Sequence, residues 1–166
     1  MYFEHLDVAN TADLEAVYAI ESQCFPIEEQ DTPELIYNRA KVAPECFWIM
    51  RAEPKGEIMG FLNGVPMAQE QYTEAVFTDI SLYNAEGPWV MLISLDIAPK
   101  YQKQGLSEIF IKHMLQELKE RKLYKGAVFI AKENLVSYYK TFGFKDDGIS
   151  VCKHGGKAWH QMSMLF

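Results

Sequence analysis

The stretch best suited to chemistry is Ala98-Pro99-Lys100-Tyr101-Gln102-Lys103-Gln104-Gly105-Leu106-Ser107, which follows an apolar run and opens a long amphipathic segment. The first turn of a helix has backbone N–H groups with no internal partner and the positive end of the macrodipole, and together these attract an anion. Gly105 has no side chain to keep a phosphate from the main chain. Ser107 is small and adds a hydroxyl donor. Lys100 and Lys103 lie in the same stretch, with no acid between Pro99 and Ser107. Such a turn suits a pyrophosphate. It is not a Walker loop, since the Gly-Lys-Ser/Thr ending is absent, and it is not a Gly-x-Gly-x-x-Gly dinucleotide turn. Taken alone, it also reads as an ordinary strand-to-helix turn with a glycine.

Other groups with chemical capacity are dispersed. Asp96 lies within the apolar run Trp89–Ile97, where a carboxyl is either a functional acid or one end of a core hydrogen bond. Glu21, Glu28 and Glu29 gather near the end of the first helical segment. His5, His113, His154 and His160 are scattered and read as structural or exposed. Cys24, Cys46 and Cys152 have no metal-like spacing and read as free thiols in a reducing cytoplasm. No His/Cys/Asp/Glu cluster has ligand spacing, so no metal is expected.

The elements that must position these groups follow from periodicity. Tyr2–Val8 is a strand and Asp13–Phe25 a helix with Thr11 as N-cap, ended by Pro26. A second helix starts at Asp31-Thr32-Pro33-Glu34 and runs to about Val42. Cys46–Ala52 and Glu57–Met67 form a hairpin about Glu53-Pro54-Lys55-Gly56, with Gly60 and Gly64 weakening the second strand or marking bulges. Ala68–Asn84 is either a short helix carrying Tyr72, Val76, Phe77 and Ile80 or a loop covering a site. Trp89–Ile97 is apolar enough for a central strand buried on both faces. Gln104–Lys122 is the clearest helix, with Leu106, Ile109, Phe110, Met114 and Leu118 as its apolar stripe. Ala127–Ala131 is a buried strand, Asn134–Phe142 a short helix, and Lys145–Lys153 with Lys157–Phe166 a closing pair. Hairpins mixed with one strand–helix–strand crossover make an α/β fold with a mixed sheet.

Composition narrows the class. With 166 residues, 49% hydrophobic and 13% aromatic, the chain has one domain's length and ample core. Glu4, His5 and Asp7 interrupt any apolar run at the start, so no signal peptide is read there, and no stretch reaches a membrane span. The net charge of −7 conceals an asymmetry: residues 1–98 carry 4 Lys/Arg against 17 Asp/Glu, and residues 99–166 carry 12 against 6. An acidic half and a basic half would suit a protein that joins a cationic amine to a polyanion. A pI near 5.1 and the lack of aromatic-interleaved basic stretches speak against nucleic acid. A soluble, cytoplasmic protein is expected.

A second motif joins the turn. Asn134-Leu135-Val136-Ser137-Tyr138-Tyr139-Lys140-Thr141-Phe142-Gly143-Phe144 follows the next strand, about one βαβ unit downstream. With Gln102-x-x-Gly105-x-Ser107 before it, the C-terminal half resembles the GNAT superfamily of N-acetyltransferases. In that family an Arg/Gln-x-x-Gly-x-Gly/Ala turn after a central strand binds coenzyme A pyrophosphate, and a downstream Asn and a Tyr before a Gly-Phe pair complete the pattern. Ser107 stands where Gly or Ala is usual. Ile20-Glu21-Ser22-Gln23-Cys24-Phe25, Ala43-Pro44-Glu45-Cys46-Phe47 and Ile93-Ser94-Leu95-Asp96-Ile97 further resemble the arylalkylamine (serotonin-type) branch. Together these similarities cover most of residues 13–148.

The resemblance implies one acetyltransferase domain over residues 1–166, with acceptor-side elements in about 1–85 and an acetyl-coenzyme A core in about 88–145. It implies a mixed, mostly antiparallel sheet flanked by helices, whose central strands Trp89–Ile97 and Ala127–Ala131 splay apart. Acetyl-coenzyme A would be the co-substrate, with pantetheine in that gap against the backbone of Leu95 and Ile97. Gln102, Lys103, Gln104, Gly105, Leu106, Ser107 and Asn134 would complete its seat. A small primary amine, an aralkylamine, would be the acceptor against Phe25, Pro26 and Tyr37. A homodimer through C-terminal edge strands follows by fold analogy.

Acetyl transfer needs a neutral amine and a proton for the departing thiolate, and a phenol is a suitable donor. Tyr139 matches the family's general acid; Tyr138, about 100° around the helix, reads as packing. Related enzymes often place Glu or His early on the central strand, where this chain has Met91 and Ile93, which cannot accept a proton. The base is then Asp96, Glu21, Glu28, Glu29 or a water chain, with Asp96 the strand's own candidate. Acetylation of a peptide amine and a non-catalytic acyl-coenzyme A-binding module are the alternatives.

Overall fold

Asn10 and Thr32 decide where the first two helices begin. In the computed structural model, which describes all residues Met1–Phe166, the Asn10 side chain accepts the Asp13 N–H and caps α1 (Thr11–Cys24). The cap is therefore Asn10, one residue before the expected Thr11, which is the first helical residue. Thr32 accepts the Leu35 N–H and caps α2 (Pro33–Val42), with Pro33 in the first turn where its missing N–H costs nothing. Each such cap contributes about 1 kcal/mol.

The remaining elements are β1 (Tyr2–His5), β2 (Phe47–Arg51), β3 (Ile58–Met67), α3 (Ala75–Thr78), β4 (Trp89–Ile97), α4 (Leu106–Arg121), β5 (Gly126–Ala131), α5 (Val136–Lys140), β6 (Lys145–Ile149) and β7 (His160–Leu165). The strand order is β1-β2-β3-β4-β5-β7-β6. β4 and β5 are parallel, while β1–β2, β2–β3, β5–β7 and β6–β7 are antiparallel. This is the mostly antiparallel α/β sheet, flanked by helices, that the sequence led us to expect. The last two strands are shorter than their sequence pattern because a bulge and a turn over His154–Gly156 interrupt them. The chain divides into two compact units, Met1–Gly64 with Ser94–Leu115 and Val65–Ile93 with Gln116–Phe166.

In the first unit, register assigns the faces. Phe47 and Ile49 lie opposite Asn63 and Phe61, and the odd-numbered set packs with Val17, Ile20, Ile36 and Ala40 beneath α1 and α2. Met50 lies opposite Phe3, whose ring meets Phe110 of α4 at 5.4 Å and stacks on His113 at 4.0 Å. Strand alternation thus feeds two helical layers from one three-stranded meander. Gly60 is needed for close approach, since a Cβ there would stand 2.5 Å from the Asp96 carbonyl oxygen. It lies beside the bulge at Met50/Arg51.

In the second unit, Phe129 is met edge-on by Tyr139 at 4.6 Å and by Phe144 at 4.9 Å, so α5 covers that face of β5. The residues expected to form α4's stripe are buried except Ile109, which is 37% exposed. Ile111 and Leu115 are buried as well, because α4 has sheet on a wider arc than a narrow stripe would serve.

Candidate functional site

The Gln102–Ser107 turn starts α4 as expected, and its geometry is an open cradle. Gly105 has φ +77°, and a Cβ there would meet nothing within 4 Å. Its carbonyl accepts the Ile109 N–H, so the next N–H groups, of Leu106 and Ser107, belong to the helix's first turn. Lys103 also has positive φ, at 60°. Two left-handed residues within three turn the chain sharply enough for the main chain to face outward. Lys103 is exposed and makes no ion pair, whereas Lys100 is paired with Glu57 at 2.6 Å. The local positive charge on offer is therefore Lys103 plus the helix end. These groups fit a pyrophosphate.

Gln102 and Gln104 are exposed, but their amides turn back onto the main chain. Gln102 Nε2 donates to the Ile97 carbonyl at 2.9 Å, and Gln104 Nε2 to the Lys100 carbonyl at 3.3 Å. Cys24 Sγ donates to the same Ile97 carbonyl at 3.3 Å. The end of β4, the turn and α1 are thus tied at one backbone oxygen. That oxygen already has two donors, so any further backbone contact at Ile97 falls to its N–H.

Behind this knot lies a buried acid pair. Glu21 and Asp96 are each 1% exposed, and Glu21 Oε2 and both Asp96 oxygens lack a protein donor. Two ionised carboxylates have no donor between them, so a hydrogen bond within the pair requires a proton on one of them. Burial pushes the Asp96 carboxyl well up, and the Glu21 charge adds to it. Burial likewise raises Glu21, partly offset by its bond to Asp96. Glu21 Oε1 also accepts the Asp31 N–H at 2.9 Å, and Asp31 grips Arg39 through both oxygens. Cys24 senses the pair: burial first, then the Asp96 and Glu21 charges, push its thiol up to about 12. A thiol held protonated is a poor nucleophile, which speaks against an acyl-cysteine intermediate at Cys24.

The other expected residues are placed as follows. Leu95 is half-buried on β4. Phe25 and Pro26 form the bend after α1, with the Phe25 carbonyl accepting Gln30 Nε2 at 2.7 Å. Ile27, next to them, is 84% exposed. Tyr37 is on the outer face of α2 beneath Lys41, 5.9 Å from its ring centroid. Asn134 lies in a 3-10 turn, Glu133–Leu135, ahead of α5, rather than inside the helix. Tyr139 is half-buried on α5 against Phe129 and Tyr138. The first unit gathers Glu21, Cys24, Asp96 and the turn, while Asn134 and Tyr139 belong to the second.

Sequence reading missed Asp31, Arg39 and Asn63. Asn63 is fully buried on β3, and neither end of its amide has a hydrogen-bond partner. The position of Arg39 three residues after Ile36 and next to Ala40, on the buried face of α2, was the available signal. A polar cavity of about 460 Å³ around Arg51 holds none of the expected residues, and its guanidinium is taken up by Glu4 and Asp13, each at 2.5 Å. No group of His, Cys, Asp and Glu could hold a metal ion, and no helix is long and apolar enough to cross a membrane.

The pairing of β4 with β5 completes the geometry. Its register runs only from Trp89↔Gly126 to Met91↔Val128, although the strands continue to Ile97 and Ala131. The fold matches the loading GNATL domain of CurA from Lyngbya majuscula (TM-score 0.83, 18% identity, 99% of this chain and 96% of that one). It also matches a GphF GNAT-like decarboxylase in complex with isobutyryl-CoA (0.78, 14%, 99% and 99%). A third match is the ribosomal-protein-S18-alanine N-acetyltransferase from Escherichia coli (0.67, 16%, 99% and 92%). No curated protein sequence matches the chain. The model of the acetyltransferase (GNAT) family matches residues 14–144, and with the turn, the shortened parallel ladder and the sheet order in agreement, the chain belongs to that family.

Proposed function

We propose that the protein transfers an acetyl group from acetyl-coenzyme A to a small primary amine, an aralkylamine, by direct attack. The observation that carries this is the open Gly105 cradle at the start of α4, which offers main-chain N–H groups to a pyrophosphate. Lys103 adds a free cation beside it, and Asn134 is assigned to the pantetheine. The β4 edge beyond Met91 is not paired with β5, so the Leu95 backbone is a natural partner for pantetheine amides. The thiol of coenzyme A supplies the leaving group.

Tyr139 is assigned as general acid, giving its phenolic proton to the departing thiolate. Asp96 is assigned as the base that takes the amine proton, with Glu21 beside it as the second buried carboxyl of the pair. Phe25 and Pro26, at the end of α1, would receive the flat part of the amine, with Tyr37 further out. The acids of residues 1–98 would draw in an ammonium before it loses its proton. A protein of this kind works in the cytoplasm, beside its cofactor pool.

A second reading, acetylation of a peptide amine, is favoured by Ile27, an exposed apolar residue in the same bend that a peptide side chain could cover. The test is thiol release over a panel of aralkylamines, polyamines and short peptides. Tyr139→Phe should lower kcat by about 10²–10⁴-fold on the preferred amine, and Gly105→Val should abolish binding of free coenzyme A. Coenzyme A binding without turnover of any amine would remove the enzyme reading.

A further inference from the structure

Lys100 belongs to the stretch that leads to Gly105, yet its ammonium is held by the start of β3. The Ala98 N–H donates to the Met59 carbonyl at 2.8 Å, so the chain just after β4 lies beside the beginning of β3. Glu57 is two residues before Met59 and Lys100 two after Ala98, which brings the two side chains together. Lys100 Nζ meets both Glu57 oxygens, at 2.6 and 2.7 Å. Tyr101 Oη donates to Glu57 Oε2 at 2.9 Å. The Tyr101 ring packs against the core beneath α1 and α2, and Lys100 Nζ lies 5.0 Å from its centroid. All of these residues belong to the first unit, as does the Gln102–Ser107 turn.

The pair is fully charged but weakly held. The Lys100 ammonium keeps the Glu57 carboxyl below the usual carboxylate range, helped by the Tyr101 hydroxyl, and Glu57 in turn raises the lysine. Both groups are therefore ionised at neutral pH. Their side chains are nonetheless 59% and 56% exposed, and such pairs are screened by water and salt and contribute little. A phosphate carries more charge than a carboxylate and offers more acceptor oxygens, so it competes well for an ammonium on a flexible stem. Glu57 keeps a partner when the lysine leaves, because the Tyr101 hydroxyl stays on Oε2 and its ring is anchored in the core. Gln104 Nε2 donates to the Lys100 carbonyl, so the backbone of this residue stays tied to the turn whichever way its side chain points.

We infer that Lys100 is a second phosphate-binding cation held in reserve: it pairs with Glu57 in the free protein and changes partner to the cofactor's phosphates when coenzyme A binds. This rests on the reading of the Gly105 turn as a phosphate seat. Glu57 is then a positioning residue that touches Lys100 and not the cofactor, and it acts as a brake on affinity because its ion pair must break before the lysine can serve. Two uncompensated lysines beside a helix start would attract any polyanion. With Lys100 neutralised, the free turn presents only Lys103.

The test is calorimetric binding of free coenzyme A to the full chain in low and in high salt. Glu57→Gln should bind coenzyme A about 5-fold more tightly than wild type at low salt, the upper range for one exposed pair, and the gain should shrink in high salt. Combining Glu57→Gln with Lys100→Gln removes the pair as a unit and leaves the local net charge as it was. An idle pair then predicts wild-type affinity, whereas partner exchange predicts that the double variant binds coenzyme A more weakly than wild type. Unchanged affinity of Glu57→Gln overturns the proposal, as does a gain that high salt leaves intact. So does wild-type affinity in the double variant. A wild type that does not bind free coenzyme A would instead bring down the phosphate reading of the turn, and this inference with it.

Discussion

The layer beneath α1 and α2 and the layer around α5 hold candidate residues by different physics. The first is polar and charged: Glu21, Asp31, Arg39 and Asp96 are all buried, with Asp31 paired to Arg39 and donating its N–H to Glu21. The second is aromatic: Tyr139, Phe129, Phe144 and Tyr138 meet edge to face. A charged network is directional and answers to pH, whereas an aromatic one answers to volume. One unit therefore holds its candidates in a layer sensitive to protonation, and the other in a layer set by ring packing.

The largest effect that would break this contrast is Arg39→Ala. It leaves Asp31 buried without its ion partner and should destabilise the protein by about 3–5 kcal/mol, read from the urea midpoint. A loss below about 1 kcal/mol would mean that the layer is not held by charge.

Asp96→Asn sharpens the contrast through pH. Both acids of the pair have raised pKa values in the folded protein, so between the ordinary carboxyl range and those raised values the folded state binds more protons than the unfolded chain. Stability from this pair is therefore greatest in acid and falls as pH rises through that window. The variant should lose less stability than wild type between about pH 4 and neutrality. An unchanged slope in paired denaturation series would rule out the shared proton.

The smallest expected effect is a control on exposed charge. Lys112 pairs with Glu108 one turn away on α4 at 2.6 Å, with both side chains more than half exposed. Lys112→Ala should cost about 0.3–0.5 kcal/mol, and less in high salt. A cost approaching that of Arg39→Ala would show that burial is not what separates the two pairs.

Much of this was legible before any coordinates. β4 spans Trp89–Ile97 as its apolar pattern indicates, α2 starts at Pro33, and Gly105 opens α4, because hydrophobic period and helix-start chemistry are local. Tyr72 was undecided between helix and loop, since α3 is only Ala75–Thr78 and its anchors, Leu92 and Gln161, lie far along the chain. Arg39 was invisible as a site residue because its partner Asp31 is not on its helix.

The amino-acid order alone determined the α/β class, the family and the glycine turn that opens α4, all of which depend on residue type at short spacing. Only the tertiary structure decided that Asp96 and Glu21 are buried together, that Cys24 and Gln102 meet at the Ile97 carbonyl, and that the Tyr72 hydroxyl donates to the Leu92 carbonyl. Desolvation and long-range contact set those features, and neither is a property of neighbouring residues in the chain.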